Sequence, residues 1–174
     1  VNLRGRGRPA KVFIMTDEGR EKFEHSYDDL AVSALKFMAT KSGSHLVKEF
    51  ANSRAEEIER KAAKKMAAKN SLGAKVDALT EHLCSEGYSA TTAGRGNGVE
   101  ICQHHCPVAH VAAEFPELCE AETAAISRML GTHVQRLATI ANGDGVCTTF
   151  IPGTATKNSD LKKSRALQTA NRGA

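Results

Sequence analysis

The chain has 174 residues, 41% hydrophobic and 25% charged, with a formal net charge of +4. That is enough chain to bury a real core in one domain or two small ones, and no run approaches the 18 uncharged apolar residues of a membrane span. Collagen-like, mucin-like and fully disordered chains are excluded by the same composition.

Charge says more by segment than in total. Residues 1–11 hold Arg4, Arg6, Arg8 and Lys11 without an acid, and residues 152–174 hold Lys157, Lys162, Lys163, Arg165 and Arg172 against Asp160. Each end is therefore +4, which leaves −4 for residues 12–151. An acidic body with two basic ends points to contact with a polyanion. The chain opens on Val1 rather than Met, and the expectation is of a piece whose natural N-terminal part is missing.

Residues 1–15 read as a short β-hairpin, with Gly5, Gly7 and Pro9 at the turn and Val12–Met15 as a β-prone run. From 17 to 40 the pattern is helical, with Phe23, Tyr27, Leu30, Ala34 and Met38 at steps of three and four. Ser42-Gly43-Ser44 interrupts it, and Ser44 is placed to cap a second helix over 45–69. Its apolar face is read as Val47, Phe50, Ile58, Ala62 and Met66. A helix of that length, roughly 35 Å at 1.5 Å per residue, with an apolar stripe suits pairing with a symmetry mate. A third helix over 72–86 shows Leu72, Val76, Leu79 and Leu83.

After Gly87 the character changes. Tyr88–Ala93 and Val99–Gln103 read as strands around the turn Gly94–Gly98. Pro107 and Pro116 each stand where a helix could begin; the second of these helices, over 116–130, carries Leu118, Ala121, Ala125 and Met129. His133–Ile140 and Val146–Ile151 read as two more strands, and residues 152–174 as a basic disordered tail. The fold class is α+β.

There are five cysteines, Cys84, Cys102, Cys106, Cys119 and Cys147. No signal-like apolar region appears in these residues, so a reducing, cytoplasmic compartment is expected, where a disulfide framework is out of place. An odd count argues the same way. Four of the five fall within 46 residues that also hold His104, His105, His110 and His133, which suggests a metal or redox site. Cys106 precedes Pro107 and is expected at a helix N-cap, and Cys119 lies in the first turn of the Pro116 helix. Free N–H groups there favour thiolates. Cys147 follows a Gly-rich turn, where backbone could approach a bulky inorganic core. Cys84, on the face of the third helix, is expected to be a small core hydrophobe.

The run from Cys106 through Pro107, His110, Pro116 and Cys119 to Glu122, followed by Gly143-Asp144-Gly145-Val146-Cys147, resembles the SufR family. These are bacterial iron–sulfur-sensing repressors of the Suf cluster-assembly operon, and the likeness is to actinobacterial members. Twelve residues separate Cys106 from Cys119 and 27 separate Cys119 from Cys147, the most specific part of the likeness. Arg4-Gly5-Arg6-Gly7-Arg8-Pro9-Ala10-Lys11 resembles the wing of the family's winged helix-turn-helix domain. The resemblance covers about residues 4–151; the helix-turn-helix with its recognition helix is not among them.

The resemblance implies that Cys106, Cys119 and Cys147 ligate a [4Fe–4S] cluster, with [2Fe–2S] as the variant, in a homodimer that represses when loaded. It implies a wing remnant (1–20), a helical dimerisation region (21–70), a small ββααββ sensor domain (71–151) and the tail (152–174). Arg4, Arg6, Arg8 and Lys11 would contact double-stranded operator DNA of the Suf operon; arginines alternating with glycine suit a narrow minor groove. Four cysteines is the ordinary ligand count, so one iron would take another ligand, with His105, His110 and Cys102 as candidates beside a small thiol or water.

Three other readings stand beside this one. A Cys₃His zinc site would use the same thiols with His105 or His110. A metal-free switch would oxidise Cys106 and Cys119 to a disulfide. An enzyme using Cys106 as nucleophile has only adjacent histidines in its favour, and neither a phosphate-binding Gly-rich loop nor GxSxG is present. A non-enzymatic regulator is expected.

Overall fold

The computed structural model describes residues 17–153, with side chains from Tyr27 onward. The hairpin expected over 1–15, the basic residues Arg4, Arg6, Arg8 and Lys11, and the C-terminal tail lie outside the described residues.

Three helices come first: α1 (Asp17–Ser42), α2 (Ser44–Met66) and α3 (Leu72–Ser85). Strands β1 (Ala90–Arg95) and β2 (Gly98–Gln103) follow, then helices α4 (Ala109–Glu114) and α5 (Glu117–Leu130), and finally β3 (Gln135–Ala138) and β4 (Cys147–Pro152), which flank a single 3₁₀ turn at Ile140–Asn142. The class is α+β. The four strands form one antiparallel sheet in the order β1-β2-β4-β3. Among the described residues no helix is long and apolar enough to cross a membrane.

Local chemistry explains the helix ends. Gly43, not Ser44, occupies the cap position before α2, with φ +88°. Only glycine adopts that backbone without strain, so the tight reversal from α1 into α2 depends on it and the expected Ser44 cap is not used. At α3 the Ser71 hydroxyl accepts from the Ala74 N–H at 3.2 Å, the ordinary N-cap bond.

The long helix α2 organises the packing. Its buried stripe is Val47, Ala51, Ala55, Ile58, Ala62 and Met66. The expected Phe50 is 42% exposed instead. Alanine at successive turns lets α2 lie close against α5, which answers with Ala121 and Ala125. One core cluster joins the end of α2 to α3, α5 and the sheet through Leu79, Leu83, Ile101, Ile126 and Ile151. A second joins α1, α2, α4 and α5 through Leu35, Val47, Val111, Phe115 and Leu118.

The phase of α1 also differs from the expected stripe. Leu35 is buried, with Ala31, Val32, Met38 and Ala39 packed around it. Tyr27, Leu30 and Phe37 are 77%, 67% and 63% exposed. The residues spaced at 27, 30, 34 and 37 therefore run along the outer side of α1. The inward side is set by docking on α2 and α4.

Candidate functional site

Three separate elements bring Cys106, Cys119 and Cys147 to one pocket. Cys106 stands in the turn between β2 and α4, Cys119 is the third residue of α5, and Cys147 is the first residue of β4. Ala51, Arg54, Ala55 and Ile58 of α2 form the opposite wall. Cys147 is buried, while Cys106 and Cys119 are half-buried. The space between them is narrow, on the scale of a water molecule or two. All five cysteines are free thiols.

A buried polar network supports the thiols. Arg136 of β3 bonds to Glu122 Oε1 through Nη2 at 2.7 Å and to Gln103 Oε1 through Nη1 at 2.9 Å. Its Nε reaches Thr123 Oγ1 at 3.1 Å, and that hydroxyl donates to the Cys119 carbonyl at 2.7 Å. Gln103 Nε2 also donates to Glu122 Oε1, at 3.1 Å. The Arg136 and Glu122 side chains are only 12% and 15% exposed. Burial works against the Arg136 charge, but the Glu122 carboxylate outweighs it and holds the guanidinium firmly protonated. Tyr88 donates its hydroxyl to the same carboxylate, and burial with the Glu122 charge pushes its pKa well up.

Cys106 and Cys119 are held neutral. Burial pushes Cys106 up to about 11, although the Val108 N–H works in the other direction. Cys119 is raised by burial and by Glu122, against the pull of Arg136. The expectation of thiolates favoured by helix starts is therefore corrected. Cys106 is not a cap: α4 begins at Ala109 with Val108 before it, because Pro107 lies in a turn rather than in the first helical turn. Cys119 does lie in the first turn of α5, but burial in the pocket dominates. Cys147 Sγ accepts the Ile140 N–H at 3.2 Å.

The candidate fourth ligands are placed apart from the trio. His105 and His110 are exposed and line a neighbouring cleft, which meets the pocket only at Cys106. Cys102 alternates with the buried Ile101 and Gln103 along β2, so it lies on the other face of the sheet, where it bonds to Thr148. Cys84 is exposed rather than in the core; its sulfur is spent on the Ala90 backbone, at 3.1 Å to the carbonyl and 3.2 Å to the nitrogen.

Glu122, Arg136, Gln103 and Tyr88 were not singled out in the sequence. Their signals were local: Glu122 is one helical turn past Cys119, and Gln103 alternates in step with Ile101. Among the described residues no three His, Cys, Asp or Glu side chains are gathered as a single-ion site. The donor set nevertheless suits an iron–sulfur core: three soft thiols from three elements, a carboxylate, and one buried cation to offset negative charge. Compared with known proteins, the chain matches no family model, no curated protein and no solved structure.

Proposed function

We propose that the chain is the sensing part of an iron–sulfur-responsive transcriptional repressor of the Suf assembly operon, acting as a homodimer on double-stranded DNA. One observation carries the reading: Cys106, Cys119 and Cys147, the three positions of the family resemblance, line one pocket although each comes from a different element. In this reading β1 to β4 with α4 and α5 are the ββααββ sensor unit, α1 and α2 the dimerisation region, and Arg4, Arg6, Arg8 and Lys11 the wing.

When bound, a [4Fe–4S] cluster supplies sensitivity to oxidant and to iron supply. The chain's own residues do the rest. Cys106, Cys119 and Cys147 give up their protons and bind; Arg136 offsets the negative charge this creates, as the nearest buried cation. The Ile140 and Val108 N–H groups donate to the Cys147 and Cys106 sulfurs, and at Cys106 that bond works toward the thiolate. Ala51, Ala55 and Ile58 screen the pocket from water. A cluster held by the three thiols would tie the turn before α4 to α5 and β4.

The exposed row of Tyr27, Leu30, Ala34 and Phe37 supports the dimer. Steps of three and four sustained along one side of a helix are the pattern of a coiled-coil seam.

The test is iron and acid-labile sulfide per chain, measured after purification without air. Brown protein carrying both supports the reading; colourless protein with one zinc, or with neither metal nor sulfide, refutes it. Cys106→Ser, Cys119→Ser and Cys147→Ser should each lose the cluster, while Cys84→Ser should keep it. Full iron and sulfide in all three variants would show that the ligand assignment is wrong.

A further inference from the structure

Of the acidic, histidine and cysteine side chains, only four line the narrow pocket: the three thiols and Glu122. The position of that carboxylate is costly unless something positive sits among them. Its side chain is only 15% exposed, it shares the pocket lining with the three thiols, and Arg136 is paired with it. A pocket with three ionisable thiols, a carboxylate and one buried arginine, with the exposed Arg54 also in its lining, is matched to a polynuclear cation.

Resting on the cluster reading above, we infer that Glu122 is the fourth protein ligand, an oxygen donor to the iron that no cysteine holds. The alternatives are displaced by geometry. His105 and His110 lie outside the pocket, and Cys102 faces the other side of the sheet. Glu122 is one turn along α5 from Cys119, so ligation at both positions uses one helix face. The bonds from Arg136 and Gln103 both fall on Oε1, so binding through Oε2 leaves those two in place and competes at most with the Tyr88 hydroxyl. They hold the carboxylate in position as outer partners hold a metal ligand. A carboxylate also gives the site the same formal charge as the fourth cysteinate of an ordinary cluster. It is a harder donor than thiolate, so it would hold iron less firmly than a cysteinate.

The experiment uses the full 174-residue chain, grown with glutamate labelled with ¹³C at the side-chain carboxylate and reconstituted with iron and sulfide without air. Pulsed electron–nuclear double resonance on the reduced cluster should show ¹³C coupling in the unsubstituted chain, and Glu122→Gln should abolish it. A loaded chain without the coupling overturns the Glu122 assignment while leaving the cluster reading intact. Coupling that persists in Glu122→Gln overturns it too, by assigning the signal to another glutamate. A chain that takes up no iron and sulfide overturns both. The measurement on the unsubstituted chain decides the matter even if the variant fails to fold.

Discussion

Arg136→Leu tests the polar network by removing its one cation. In the metal-free chain the Arg136 side chain is 12% exposed and Glu122 15% exposed, so the pair is nearly dry. The guanidinium makes three side-chain bonds, to Glu122, Gln103 and Thr123. Breaking a buried pair from one side strands the other charge and costs ~3–5 kcal/mol; the residual water access places this site at the low end, about 3 kcal/mol. Glu122→Gln keeps an oxygen that can accept from Arg136 but strands the cation, at a cost of about 2 kcal/mol. In the double variant neither charge is left, and two glutamines at 103 and 122 can pair. The double variant should therefore cost about 2 kcal/mol less than the two singles together. Urea unfolding of the reduced, metal-free chain, followed by far-ultraviolet circular dichroism, measures all four corners of the cycle. Additivity within about 0.5 kcal/mol would refute the claim that these side chains stabilise each other as a buried ion pair.

Gly98→Ala should cost about 1–3 kcal/mol of unfolding free energy, because a Cβ there would lie 2.4 Å from the Ile151 carbonyl oxygen and 2.6 Å from the Phe150 ring; the urea midpoint reads it. Cys106, with its thiol pushed up to about 11, should react with iodoacetamide about a hundredfold more slowly than an ordinary thiol at pH 8, and the rate should rise tenfold per pH unit. Mass mapping of the alkylated cysteines in metal-free protein follows this. Burial holds His82 below its ordinary 6.5, so the unfolded chain binds the extra proton first. Its contribution to stability is complete above pH 6.5 and is lost progressively as the pH falls below that value; His82→Leu should flatten that limb in a series of urea midpoints. Leu30→Glu with Phe37→Glu alters side chains 67% and 63% exposed, so the fold should persist while sedimentation shows a shift from dimer to monomer.

What the sequence made legible followed from periodicity. The α3 stripe of Val76, Leu79 and Leu83 is buried as its spacing requires, and β2 and β4 fall where β-branched and apolar residues alternate. Glycine and proline marked the breaks but not their use: Pro107 reads as a helix start, yet it stands in a turn two residues ahead of α4. Phase was the weaker inference. In α1 the spacing of Tyr27, Leu30, Ala34 and Met38 suggests the inward face, but only Met38 of these packs inward, beside Leu35, Ala31, Val32 and Ala39, while Tyr27 and Leu30 are exposed. The thiol trio was legible because cysteine is rare and its spacing is specific. The network around it was not, because a Glu, a Gln, an Arg and a Tyr are individually ordinary, and only the sheet register and the α5 face bring them together. Cys102 shows the same limit: the sequence could not say which face of β2 it takes, and alternation with Ile101 turns it away from the pocket.

The narrowness of the pocket carries a mechanical consequence. An inorganic core larger than a water molecule or two needs the lining to give way. On one side stand thiols, Glu122 and Arg136, and the last two are fixed by bonds to Gln103, Thr123 and Tyr88. On the other side α2 offers Ala51 and Ala55, which have no rotamer to retract. Once the cysteine, Ile58 and Arg54 side chains have turned, widening against Ala51 and Ala55 falls on the α2 backbone, which packs on α5 across small residues and carries α1 on its other contacts. A displacement there shifts the exposed row at Tyr27, Leu30 and Phe37. In the proposed homodimer, filling the pocket and setting the geometry of a partner on α1 would thereby be coupled through one helix, and the coupling would depend on alanine at 51 and 55. Larger residues at those positions would push α2 outward without any ligand, so Ala55→Leu should alter dimer geometry in the metal-free chain, as small-angle scattering would register. An unchanged scattering profile in a folded Ala55→Leu dimer would remove α2 from the path.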